Sequence, residues 1–157
     1  MVEKLKKCDP KGPLCVNVLK LFNNEQSGGF YSFGRIISGT LKRGDEVKIL
    51  GEGYTVEDEE DMVIKTVSRL WIMQAGGRYK IEVDMMTAGN WVLIEGIDQT
   101  ITKTATLISS SSPIQIDIFK PLDFATQAAI KVACEPLNPS ELPKMLEGLR
   151  KINKSYP

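Results

Sequence analysis

Residues 30–50, FYSFGRIISGTLKRGDEVKIL, contain the pattern that decides the predicted fold. The run 30–41 is rich in aromatic and β-branched residues, which favour strands. Residues 42–45, Lys-Arg-Gly-Asp, supply turn formers, and apolar and polar residues alternate again over 46–50. Two strand-like runs joined by a short turn that contains glycine predict a β-hairpin.

Similar runs lie on both sides of this stretch. Val16–Phe22 precedes it and ends in turn-forming residues, while 63–73 follows it with its alternation broken around 67–70, as a β-bulge would do. Apolar and charged residues alternate over 79–83, which predicts a half-buried strand. Further runs cover 91–94, 103–108 and 114–118. About seven or eight short strands with glycine-rich turns predict a mainly β fold, an antiparallel β-barrel.

The pattern changes after Pro121. Alternation of Ile130, Val132 and Cys134 with their neighbours predicts a strand in which Cys134 is buried. Ser140 is placed to cap a following helix. That helix is amphipathic, because its apolar residues recur on one helical stripe: Leu142, Met145, Leu146, Leu149 and Ile152. We therefore expect a second α+β domain to begin here with one β–α unit.

Three segments follow from this organisation. Residues 1–13 are charged and rich in turn formers, so we expect a linker from an upstream domain. Residues 14–120 form the predicted barrel, and residues 121–157 form the predicted β–α unit. No apolar run has the length of a membrane span, and we expect no membrane partner.

Most catalytic chemistry is excluded by composition. The chain has no histidine, which removes the commonest general base and metal ligand. It has no phosphate-binding loop of the Gly-x-x-x-x-Gly-Lys-Ser/Thr type. The acidic run 57–61 lacks the alternating ligands and the glycine of a calcium loop, so a solvated loop is favoured over a metal site. We expect no enzyme activity, no bound cofactor and no metal in this chain.

Basic residues near predicted strands give the main candidate binding site, while the acidic run 57–61 stays open as a contact for a basic partner surface. The chain carries 20 basic and 20 acidic residues, so net charge provides no argument for nucleic-acid binding. Local basic residues on a barrel can nevertheless follow a phosphate backbone. The candidate contacts to RNA or protein are Arg35, Lys42, Arg43, Arg69, Arg78 and Lys80.

Two blocks of sequence resemble the elongation factor 2 family of translational GTPases. Residues 30–39, the Gly44-Asp45 turn and the Thr87–Trp91 turn resemble that family's domain II. Residues 133–149 are similar to the start of its domain III, which implies a ferredoxin-like β–α unit. Three segments look more like the spliceosomal member, the GTPase of the U5 small nuclear ribonucleoprotein, than the ribosomal translocase: 53–61, 88–96 and 153–157.

The resemblance implies a non-catalytic module that relays nucleotide-driven domain motion and contacts protein and RNA in pre-mRNA splicing. GTP and magnesium would bind only in the GTPase domain of the parent protein, which we expect to be absent from this chain. The implied partners are that domain, a large spliceosomal scaffold protein and small nuclear RNA, in the nucleus. The alternative is the same module of the ribosomal translocase, which would meet ribosomal RNA in the cytoplasm.

Overall fold

The computed structural model describes residues 2–24, 27–57, 60–112, 116–121, 125 and 127–156. Ten strands and two α-helices are found in this part of the chain. The helices are α1 (Val2–Lys6) and α2 (Leu142–Ser155). The strands are β1 (Cys15–Asn23), β2 (Phe30–Ser38), β3 (Thr40–Lys42), β4 (Glu46–Leu50), β5 (Met62–Thr66), β6 (Arg69–Gln74), β7 (Tyr79–Val83), β8 (Met85–Thr87), β9 (Trp91–Glu95) and β10 (Ala105–Ser109).

The described strands all pair antiparallel. Eight strands form one sheet in the order β5-β4-β10-β1-β2-β9-β6-β7, and β3 pairs with β8 in a second, two-stranded sheet. Residues of both sheets enclose one apolar core, to which seven of the ten described strands contribute a fully buried side chain, among them Val16, Leu21, Ile36, Leu41, Val47, Leu70, Val92, Ile94 and Leu107. The predicted mainly β, antiparallel fold is confirmed, with a helix after it.

The predicted hairpin around residue 43 is wrong, although its turn is present. The backbone N–H of Asp45 donates to the Lys42 carbonyl oxygen at 3.2 Å, and Gly44 has a φ of +83°. However, β3 pairs with β8, whereas β4 pairs with β5 and β10. The turn therefore carries the chain from one sheet to the other, and Lys42 and Arg43 lie at a corner rather than at a hairpin tip.

The predicted bulge around 67–70 is also wrong, because the chain leaves one strand there and starts another. β5 pairs with β4, while β6 pairs with β9 and β7. The strand predicted over 79–83 is present as β7, but it is not half-buried, since Tyr79 is 67% and Ile81 46% exposed. The turn end of the β6–β7 hairpin extends past the core, so Tyr79 and Ile81 remain in solvent, whereas Leu70, Ile72 and Val83 still pack in or against the core.

The strands predicted over 114–118 and 130–134 are not formed in the described residues. Residues 113–115 lie outside the described part, and 116–120 and 130–134 have no strand structure. Cys134 is exposed rather than buried. No described strand lies beside 130–134 to pair with its backbone, and alternation alone cannot form a strand without such a partner.

Helix α2 forms as predicted, but its start and its environment differ from expectation. Asn138, not Ser140, acts as the cap: its Oδ1 accepts hydrogen bonds from the backbone N–H and the hydroxyl of Ser140, at the start of a 3-10 turn that leads into α2. The apolar stripe of α2 is left in solvent, with Leu142, Leu146, Leu149 and Ile152 all exposed. None of the described helices has the length and apolar character to span a membrane.

Candidate functional site

The side of the large sheet that faces away from the core carries aromatic and basic side chains on five neighbouring strands. Val92 and Ile94 of β9 point into the core, so the alternating Trp91, Leu93 and Glu95 lie on the opposite side. Register then places the cross-strand partners on that same side. We call this side the outer face; it includes Lys20, Phe22, Tyr31, Phe33, Arg35, Arg69, Trp71, Met73, Lys80, Glu82, Trp91, Leu93 and Glu95.

Three rings form a continuous row across β1, β2 and β9. Phe22 meets Phe33 edge to face at a centroid distance of 5.6 Å, and Phe33 stacks on Trp91 at 5.0 Å with 11° between the ring planes. Lys20 Nζ lies 5.4 Å from the Phe22 ring, and the Arg35 guanidinium lies 5.9 Å from the Trp91 ring. This aromatic row is therefore bounded by a cation at each end, and Trp91 remains 44% exposed.

A second cluster lies beside the row, on β2, β6, β7 and β9. Tyr31 and Trp71 meet edge to face at 6.4 Å, and Lys80 Nζ lies 4.3 Å from the Tyr31 ring. Trp71 Nε1 donates to Glu95 Oε2 at 3.4 Å. Burial raises the pKa of the Tyr31 phenol, Glu95 raises it further, and Arg69 opposes the shift. Glu95 and Lys80 thus contact the two rings of this cluster, one through a hydrogen bond and the other over a ring face.

A cleft of about 500 Å³ opens on the outer face between the end of β1 and the β6–β7 turn. Its apolar lining comes from Phe22, Met73 and Leu93, while Asn23 and Lys80 add polar groups. A concave apolar surface with a few polar groups is typical of a binding site. The cleft therefore gives the outer face a concave candidate binding site next to the aromatic row.

The structure brings together half of the predicted contact residues. Arg35, Arg69 and Lys80 all lie on the outer face. Lys42 and Arg43 lie at the β3–β4 corner, where Arg43 Nη1 is 3.3 Å from Glu82 Oε1 at the border of that face. Arg78 lies in the β6–β7 turn and is exposed.

The aromatic row was not predicted as part of the site. Phe33 and Arg35 are two residues apart in a strand, and this spacing is the signal that places them on one face. Phe22 and Trp91 come from distant parts of the sequence, and only the sheet order joins them to Phe33. Sequence alone gives no such order.

The last residue of the acidic run closes a loop. Asp61 Oδ2 accepts a hydrogen bond from the Gly53 N–H at 3.0 Å, and the Asp61 carbonyl oxygen accepts one from the Gly51 N–H at 2.9 Å. Asp58 and Glu59 lie outside the described residues. Within the described residues no group of three or more potential ligands is placed to hold a metal ion.

A second cleft, of about 620 Å³, separates α2 from the barrel loops. Lys154 crosses between them: its Nζ donates to the carbonyl oxygens of Asp98 at 2.7 Å and Gln99 at 3.3 Å, and lies 5.6 Å from the Phe30 ring. Burial lowers the pKa of the Lys154 ammonium, and the Asp98 carboxylate opposes that shift. Lys154 is thus the main polar link between α2 and the barrel in the described residues.

Comparison with known proteins gives one family and several relatives. Residues 29–108 match the model of elongation factor Tu domain 2. The chain is 56% identical over 155 residues, 99% of its length, to the 110 kDa U5 small nuclear ribonucleoprotein component CLO and to the 109 kDa component GFL, both of Arabidopsis thaliana. It is 46% identical over 149 residues, 95% of its length, to the pre-mRNA-splicing factor cwf10 of Schizosaccharomyces pombe. The chain spans 15–16% of the length of these relatives.

Proposed function

Because the chain belongs to the elongation factor Tu domain 2 family, we propose that it is domain II of an elongation factor 2-like GTPase of the U5 small nuclear ribonucleoprotein. Such a parent protein acts in pre-mRNA splicing in the nucleus. The observation that carries the proposal is the 56% identity, over 99% of the chain, to two proteins named as U5 small nuclear ribonucleoprotein components. In this proposal residues 1–13 are the linker, 14–120 the barrel and 121–157 the start of domain III.

The proposed role is that of a rigid, non-catalytic relay. A barrel built from long-range strand pairs moves as one body, so a change in a neighbouring GTPase domain would reorient its whole outer face. GTP and magnesium belong to that domain in this proposal. Titration of the chain with GTP in a calorimeter should therefore release no heat of binding, and micromolar binding would contradict the relay role.

We propose the outer face as the surface that contacts spliceosomal RNA and protein. Aromatic side chains offer stacking surfaces to bases, and cations beside them offer attraction to phosphates. Trp91, with Arg35 next to it, is the most accessible ring of the row. Protein interfaces also draw most of their binding energy from a few residues, and tryptophan, tyrosine and arginine are enriched among these residues.

The alternative function is the same module in a ribosomal translocase. It is favoured only by the shared domain II fold, because the relatives with high identity are splicing proteins. Purification of the tagged parent protein followed by sequencing of the bound RNA separates the two. We expect enrichment of U5 small nuclear RNA, whereas enrichment of ribosomal RNA alone would contradict the proposal.

The same purification tests the outer face. The double variant Arg35→Glu, Trp91→Ala should lower the amount of U5 small nuclear RNA recovered with the protein several-fold, because it removes one cation and the exposed ring. Lys144→Glu is the matched control, since Lys144 is an exposed lysine on α2. Equal loss in both variants would show that charge in general, rather than this face, governs the contacts.

A further inference from the structure

The large sheet ends at β7, which leaves an open strand edge. β7 pairs with β6 on one side, and none of the described strands pairs with it on the other. The backbone N–H and C=O groups on an open edge can pair with another strand. Tyr79 and Ile81 add exposed apolar side chains to this edge, at 67% and 46% exposure.

The sequence of this edge has a charge order that suits a copy of itself. Residues 78–84 read Arg-Tyr-Lys-Ile-Glu-Val-Asp, with the basic residues before Ile81 and the acidic residues after it. If two such segments meet antiparallel with Ile81 opposite Ile81, Lys80 of each faces Glu82 of the other. Arg78 likewise faces Asp84, and Tyr79 faces Val83 on the opposite side of the strand. Opposite charges placed directly across an antiparallel pair stabilise it.

We propose that β7 pairs antiparallel with β7 of a second copy of this chain, about a two-fold axis at Ile81. Such a contact uses the same patch on both molecules, as symmetric dimers do. A strand of another protein would need the same charge order, which a second copy has by identity. The inference goes beyond the proposed function and does not depend on it.

The existing contacts of the charged residues do not oppose this pairing. Glu82 forms an ion pair with Arg43, but both side chains are accessible to solvent, at 38% and 53% exposure. An ion pair of this kind contributes little and is readily shared with a further cation. Lys80 lies against the Tyr31 ring on the outer face, which is the side where the charged partners would meet.

The other edge strand of the sheet provides a contrast. β5 carries a single charged residue, Lys65, so two copies of β5 would present no complementary charges to each other. Ile64 of β5 is 50% exposed, about as much as Ile81 of β7, so exposure of an isoleucine does not distinguish the two edges. The order of charges therefore favours self-pairing of β7 over self-pairing of β5.

The contact is small, and so we expect a transient dimer. A stable interface buries about 1,200 Å² or more, which a pair of short strands does not reach. A dissociation constant on the order of 0.1–1 mM follows for so small a contact. Amide chemical shifts of the whole chain, followed by NMR during dilution from about 1 mM, cover this range.

Charge exchange between two variants tests the proposal. Lys80→Glu places acidic residues opposite Glu82, and Glu82→Lys places basic residues opposite Lys80, so each variant alone should associate at least about tenfold more weakly. In a mixture of the two, acidic and basic residues again face each other. We expect the mixture to recover association, with chemical-shift changes confined to residues 78–84.

Three outcomes would overturn the proposal. The first is the absence of any concentration dependence up to about 1 mM. The second is association of both single variants like the wild type. The third is a mixture that fails to recover association while both variants keep the wild-type melting temperature. Ile64→Lys is the matched control and should leave association unchanged, because it alters the opposite edge of the sheet.

Discussion

Gly34 shows how one residue permits the close pairing of β1 and β2. A Cβ built at this position would lie 2.6 Å from the backbone oxygen of Asn17, which leaves no room for a side chain. The glycine also lies where the β1–β2 register shifts, between Val18 and Lys20. The aromatic row depends on this pairing, since Phe22 and Phe33 come from the two strands.

We predict that Gly34→Ala destabilises the chain by about 1–3 kcal/mol, because backbone must move to admit the methyl group. Gly148→Ala is the matched control. Gly148 lies in α2 with nothing within 4 Å of its added Cβ, and alanine favours helix over glycine by about 1 kcal/mol. Urea unfolding should give opposite signs for the two variants; equal stability of wild type and Gly34→Ala would contradict the steric explanation.

The three cysteines differ in environment more than their spacing suggests. Cys15 is fully buried in β1, whereas Cys134 is exposed. Burial raises the pKa of the Cys15 thiol from 9.0 to about 11. The folded chain therefore holds this proton more tightly than the unfolded chain does.

The sign of the pH effect follows from the raised pKa of this thiol. The contribution of Cys15 to stability is complete below pH 9.0 and is lost as the pH rises through about 11. We predict that the wild type loses about 2 kcal/mol more stability over this interval than Cys15→Ala does, because a tenfold difference in proton affinity corresponds to roughly 1.4 kcal/mol. Urea unfolding at several pH values measures this difference, and parallel curves for the two proteins would contradict it.

At the scale of elements, α2 is held to the barrel mainly at its C-terminal end. Its apolar stripe is exposed, and Lys154 provides two hydrogen bonds to the turn at 98–100. An amphipathic helix with an exposed stripe is expected to pack against another apolar surface. In the proposed function this surface belongs to the rest of domain III.

We predict that Lys154→Met releases α2 from the barrel, because an ammonium bound to two carbonyl oxygens cannot be replaced by a thioether. Hydrogen exchange should then speed up in α2 and at residues 98–101. Lys151→Met is the control: Lys151 pairs within the helix with Glu147 at 2.8 Å. Unchanged exchange in Lys154→Met would mean that other contacts hold the helix.

The elements themselves were largely predictable, and their pairing was not. Alternation located β4 and β7, and short apolar runs located β1 and β9, to within a few residues, because both patterns indicate side chains that face a core. These sequence patterns could not show that β3 and β4 belong to different sheets. Nor could they show that the strand-like pattern at 130–134 lacks a partner among the described residues.

At the scale of the whole molecule, sheet order creates the candidate site. Phe22, Phe33 and Trp91 come from three strands that are neighbours in space, although β9 follows β1 only after a long intervening stretch of chain. The charged residues Arg35, Arg69 and Lys80 were predicted as contacts singly, and the fold places them on one face. The family could be inferred from the resemblance of the sequence, whereas the outer face could be identified only from the strand pairing in the structure.

The most direct test of the proposed splicing role is a chimera. In a fission-yeast strain whose only copy of cwf10 carries this chain in place of its matching segment of 149 residues, the protein should accumulate and introns should be removed normally. The measurement is the fraction of retained introns by RNA sequencing. Normal accumulation of the chimera together with general intron retention would contradict the account.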